Sequence, residues 1–70
     1  ARIPRRGHEA EEHFVRAIEK EPSKSEYHLE LGHFYARSGL KVKALTAYQN
    51  ALQRDPNSDK INKAIQKISG

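Results

Sequence analysis

Seventy residues make one small domain or a fragment of one, and a chain this short buries roughly 60% of its unfolded surface. There is no cysteine, which excludes a disulfide framework or a thiolate metal site, so stability rests on helix packing or on neighbouring chain. The net charge is +4, read as largely solvated; no apolar run approaches the roughly 20 residues that span a bilayer and no signal-peptide core is present, while the missing cysteines fit a cytoplasmic module.

The chain starts at Ala1 and contains no methionine, which suggests a processed product or an excised piece of a larger protein. Residues 1–7 hold Pro4, Gly7 and the arginines Arg2, Arg5 and Arg6 without apolar periodicity, and read as a flexible basic linker or tail. A first helix is predicted from about His8 to Lys20, with Ala10, Phe14, Ala17 and Ile18 on one stripe. Glu9, Glu11 and Glu12 are expected to favour the positive end of its dipole, and Pro22 to stop it.

Ser23 and Glu26 have the spacing of a capping box for a second helix extending to about Ser38. Tyr27, Leu31, Phe34 and Tyr35 supply its bulk, Gly32 and Ala36 keep it narrow, and Gly39 suits the left-handed residue that ends a helix. A third helix is predicted from about Lys41 to Arg54, with Val42, Leu45, Tyr48, Ala51 and Leu52 on its buried face. The fourth begins near Asp59, capped by Ser58 or Asn57, and carries Ile61, Ile65 and Ile68 on a narrow stripe. The expected fold class is all-α, four antiparallel helices with short connections and no strand.

The pattern repeats. Ala10, Phe14, Ala17 and Pro22 are matched 34 residues later by Ala44, Tyr48, Ala51 and Pro56. Together with Leu31, Gly32 and Tyr35, this spacing resembles a tetratricopeptide repeat, a helix–turn–helix unit that stacks into an α-solenoid. The resemblance implies one full repeat at 25–58, the second helix of a partial repeat at 8–22, and a C-terminal capping helix at 59–69, within a helical domain at 8–70. Gly32, Ala44 and Ala51 are expected to let the paired helices approach closely, with Leu31, Tyr35 and Tyr48 filling the space between them. Departures are informative: His28 stands where the family often has tryptophan, and the last helix has Gln66 and Ser69 where Gly32 and Tyr35 stand one period earlier. Polar residues there suit a terminal cap. Glu11, standing where the third helix has Leu45, suggests a partly solvated side and an array that begins here behind a linker. Phe14 and Ile18 are then expected to pack on Tyr27 and Phe34.

The resemblance also implies function: a non-enzymatic module that binds a protein or peptide on the concave face lined by the first helix of each repeat. Carried onto this chain, that face comprises Glu26, Leu29, Glu30, His33 and Arg37, continued by Lys60, Lys63 and Lys67. Leu29 lies outside the core stripe and is expected as an exposed apolar contact. One subset of the family clamps acidic tails; Glu30 stands at a position of that clamp and would repel them. No cofactor or metal is expected, because His8 and His13 fall one residue outside the His-Glu-x-x-His spacing and leave a shared face, as do His28 and His33. The histidines are read as exposed or half-packed. No nucleophile site, phosphate loop or paired catalytic carboxylates can be assembled. Glu12–Arg16 is ordinary support within a helix. Self-association of the array ends is the alternative, and nucleic-acid binding by Arg2, Arg5, Arg6 and the last helix's lysines the third; the latter lacks interleaved aromatics.

Overall fold

A computed structural model describes residues 5–69, with side chains from 7 to 69. Its elements are α1 (Arg5–Lys20), α2 (Ser25–Arg37), α3 (Lys41–Arg54) and α4 (Asp59–Ser69), with no strand among the described residues. Each helix packs chiefly on its sequence neighbour, as short connections dictate.

α1 starts three residues before the predicted His8, so Arg5, Arg6 and Gly7 belong to the helix, while Arg2 lies outside the described residues. The earlier start also removes the expected dipole role of Glu9, Glu11 and Glu12. No acidic residue lies in the first turn, where that effect acts. Glu11 turns instead toward α2, where it accepts a hydrogen bond from the Tyr35 hydroxyl at 2.5 Å. Burial, reinforced by this carboxylate, pushes the Tyr35 phenol up to about 12. Below this contact, Ala10, Phe14 and Ile18 pack on Leu31, Phe34 and Ala47, with the Phe14 and Phe34 ring centres 6.2 Å apart. Tyr27 is not part of that cluster; its hydroxyl donates to Glu21 at 3.2 Å on the surface.

The Ser23–Glu26 capping box does not form. Lys24 N–H closes a turn onto the Glu21 carbonyl at 3.1 Å, Ser23 is held within that turn, and Lys24 occupies the cap position without a side-chain hydrogen bond. The helix therefore begins one residue too late for the box. At the other end, Gly39 has φ 78°, its N–H donates to the Ala36 carbonyl at 3.1 Å, and Leu40 N–H donates to that of Tyr35 at 2.9 Å. This paired closure with a left-handed glycine lets the chain turn back in three residues. Ser58 caps α4 as its type predicts, its hydroxyl accepting from Ile61 N–H at 3.3 Å.

The α2–α3 contact is the tightest in the molecule. A Cβ built on Gly32 would stand 2.5 Å from both Cδ1 and Cε1 of Tyr48, so the Tyr48 ring lies flat against bare α2 backbone. Ala44 and Ala51 flank the ring with no exposed surface.

Two predicted burial assignments are corrected. Val42, placed on the buried face of α3, is 78% exposed. The arc that α3 buries runs through Ala44, Ala47, Tyr48 and Ala51, and at 100° per residue Val42 points to the opposite side. Leu29, expected as an exposed contact, is buried with Ala44, Tyr48, Ala51, Ile61 and Ala64. The reason is that α2 is covered on two sides: α1 takes Leu31 and Phe34, while α3 and α4 close over Leu29.

Candidate functional site

α2 and α4 both run antiparallel to α3, so they are parallel to each other and stand either side of a groove floored by α3. The groove has a volume of about 590 Å³. Tyr48, Ala36, Ala64 and Ile68 give it an apolar floor, and Glu30, His33, Arg37 and Lys67 a charged rim. Arg37 and Lys67 sit in the last turns of their helices and so mark the same end. Their charges favour the negative ends of the two helix dipoles and leave that mouth cationic.

Tyr48 ties the floor to the rim. Its hydroxyl lies 2.9 Å from His33 Nδ1, and the rings meet edge-on with centres 5.4 Å apart. Burial raises the Tyr48 phenol above its ordinary value, partly countered by the positive charge of Arg37. The hydroxyl is therefore a fixed, neutral hydrogen-bonding group at the base of the groove.

Of the residues assigned to this face from sequence, the groove brings together Glu30, His33, Arg37 and Lys67. Glu26, Lys60 and Lys63 are exposed but do not line it, and Leu29 lies in the core beneath. Sequence reasoning missed Tyr48 as part of the surface, because its matched position reads as core filler; at 2% exposure the ring is indeed buried, and only its hydroxyl edge serves the groove. Ala36 and Ile68 were read only as packing positions, and Ala64 carried no signal of its own.

His28 corrects a further expectation. It is not exposed or half-packed but 6% exposed, and its Nε2 is buried without a partner. Desolvation lowers its pKa below the usual 6.5, the nearby Arg54 lowers it further, and the Pro22 carbonyl partly opposes both. The fold thus binds fewer protons at His28 than the unfolded chain does. Stability associated with this residue is complete above the unfolded value and declines as pH falls through the folded one. The urea midpoint is expected to drop between about pH 7.5 and about pH 5.5, and His28→Leu to flatten that drop. Equal slopes for the two proteins would remove His28 as the cause.

Among the described residues, no group of three histidines or carboxylates stands ready for a metal ion, and no helix is long and apolar enough to cross a membrane.

This architecture, antiparallel helices with a small-residue seam and a groove between alternate members, defines an all-α helical repeat. Residues 25–58, α2 through the turn after α3, match the family model for the tetratricopeptide repeat. That segment is a tetratricopeptide repeat, and such repeats are non-catalytic modules that generally mediate protein–protein interactions. No curated protein and no solved structure matches the chain.

Proposed function

We propose that the chain is a non-enzymatic interaction module that holds an extended segment of another protein in the groove between α2 and α4. The observation that carries this reading is the combination of an apolar floor, a fixed Tyr48 hydroxyl and a rim with one cationic end. An apolar side chain of the segment would rest on Ala64 and Ile68. A carboxylate flanking it would face Arg37 and Lys67, and a basic residue further along would face Glu30. Charge sets the direction in which the segment lies and speeds its capture. Glu26, Lys60 and Lys63 act at the periphery, where charges change the rate of encounter more than the lifetime of the complex.

Selection from a displayed library of random peptides gives the ligand, and titration gives its affinity. The double variant Arg37→Ala, Lys67→Ala replaces exposed side chains with a strong helix former and is expected to stay folded, checked by circular dichroism, while weakening the selected peptide by about tenfold. Unchanged affinity would remove this groove as the binding surface.

A further inference from the structure

His33 is exposed on α2 and lines the groove, but its ring is not free to turn. Nδ1 lies 2.9 Å from the Tyr48 hydroxyl, and the two rings meet edge-on, with 72° between their planes. A hydrogen bond between these groups has two possible directions, and the surroundings of Tyr48 select one. Tyr48 is 2% exposed, and this is the sole hydrogen bond of its hydroxyl among the described residues. If Nδ1 carried the proton and donated, the phenolic O–H would be buried without an acceptor, which costs stability. If the phenol donates, both groups are satisfied, and burial keeps the phenol protonated and able to do so. The neutral imidazole then holds its single proton on Nε2.

The charged and titratable groups that share the groove with this ring are Glu30 and Arg37 on α2, Tyr48 on α3 and Lys67 on α4, and no α1 residue lines it. Arg37 stands one turn beyond His33 on the same side of α2, and Glu30 one turn before it. Arg37 and Lys67 donate hydrogen bonds and never accept them. His33, with its outer nitrogen protonated, adds a neutral donor beside Arg37. This end of the groove therefore offers donors alone, and the group that satisfies them is an acceptor with more than one lone pair. A carboxylate has two oxygens and meets that demand; a side-chain amide has one oxygen and spends its other arm as a donor.

We propose that His33 is the specificity-determining residue of the groove: its Nε2–H donates to one oxygen of an aspartate or glutamate carboxylate in the bound segment while the other oxygen faces Arg37. Tyr48 is the positioning residue, because its hydroxyl holds the imidazole in the tautomer that donates outward. The inference rests on the groove being the binding surface, as proposed above.

The tautomer is tested first, on the free chain. The nitrogen NMR shifts of the neutral His33 ring are expected to show Nε2 protonated and Nδ1 bare, and Tyr48→Phe to move part of the population to the other tautomer. A neutral ring with its proton on Nδ1 in the unaltered chain would overturn the proposal before any ligand is added. Binding is then read with two blocked tripeptides, Ala-Leu-Asp and Ala-Leu-Asn, while the ring is neutral. The aspartyl peptide is expected to shift the backbone amides of Arg37, Ala64 and Ile68. His33→Phe, checked for helicity by circular dichroism, should weaken the aspartyl peptide by about tenfold and the asparaginyl one by about twofold, since only the former loses a hydrogen bond to a charged group. His33→Gln keeps an N–H donor on a side chain of similar reach and should restore part of the aspartyl preference. Tyr48→Phe should reduce that preference without abolishing it. Groove shifts with an equal loss for both peptides in His33→Phe would overturn the proposal and leave the groove as the binding surface. Absence of groove shifts with either peptide would remove that surface and the proposal with it.

Discussion

Tyr48→Ala is expected to lower the unfolding free energy by about 3–5 kcal/mol, the range for removing a buried aromatic side chain. A domain of this size has a total stability on the order of 4–10 kcal/mol, so most of the folded population would be at risk. The cost is high because the ring has three neighbours that cannot follow it inward. Ala44 and Ala51 are too small to fill the space, and the Gly32 backbone is fixed within α2. The same contact gives the sharper test. Gly32→Ala in the unaltered chain places a methyl group 2.5 Å from a ring that is 2% exposed and whose hydroxyl is held by His33. Overpacking of that kind costs about 3 kcal/mol, offset by about 1 kcal/mol of gained helix propensity, for a net loss of about 2 kcal/mol. In a Tyr48→Ala background the clash is gone and only the propensity remains, so Gly32→Ala should become stabilising by up to about 1 kcal/mol. Chemical denaturation of the four proteins closes the cycle. Additive effects would mean that the ring and the glycine do not meet.

The second large effect is expected at Ile61, which is almost wholly enclosed at 1% exposure. Ile61→Ala should cost about 2–5 kcal/mol. It should act unevenly. α4 is 11 residues long, and an isolated helix of that length is marginal in water, so its order depends on Ile61 and Ala64 docking against Leu29, Ala44 and Ala51. Hydrogen exchange should therefore show α4 amides losing protection before those of α2 and α3. Because α4 carries Lys67 and Ile68, peptide affinity should fall with it even though no groove residue is changed. Uniform loss of protection along the chain would instead mean that α4 folds as one unit with the rest.

What the sequence disclosed and what it withheld divide along physical lines. Gly32, Gly39 and Ser58 were readable because each answers a local steric or hydrogen-bonding demand that few other residues meet. The apolar spacing of α1 sufficed to place Phe14 against Phe34. Leu29, His28 and Val42 were misplaced together, and for one cause. A single-stripe reading gives a helix one buried side, whereas α2 is enclosed on two and α3 buries alanines around Tyr48 rather than its branched Val42. Contacts set by tertiary approach left no sequence signal at all. The Tyr35–Glu11 bond spans 24 residues, and Arg54, which donates from Nε to the Pro22 carbonyl at 2.5 Å, spans 32. In the candidate site, the charged rim was legible through the repeat resemblance, while its floor was not, since Tyr48 reads as core until α4 is seen to stand beside α2.

The flat meeting of Tyr48 with Gly32 also bears on how copies of this chain could join. One period after Gly32 stands Gln66, on the helix that occupies the next equivalent place. A helix from another molecule approaching α4 as α3 approaches α2 would press its aromatic ring into the methylene stem of Gln66 rather than bare backbone. The seam is thus a keyed joint with one half filed off, and Gln66 is expected to oppose end-to-end polymerisation through that geometry. Gln66→Gly is the change that would restore the keyway, and light scattering at rising concentration would show whether chains then begin to thread together.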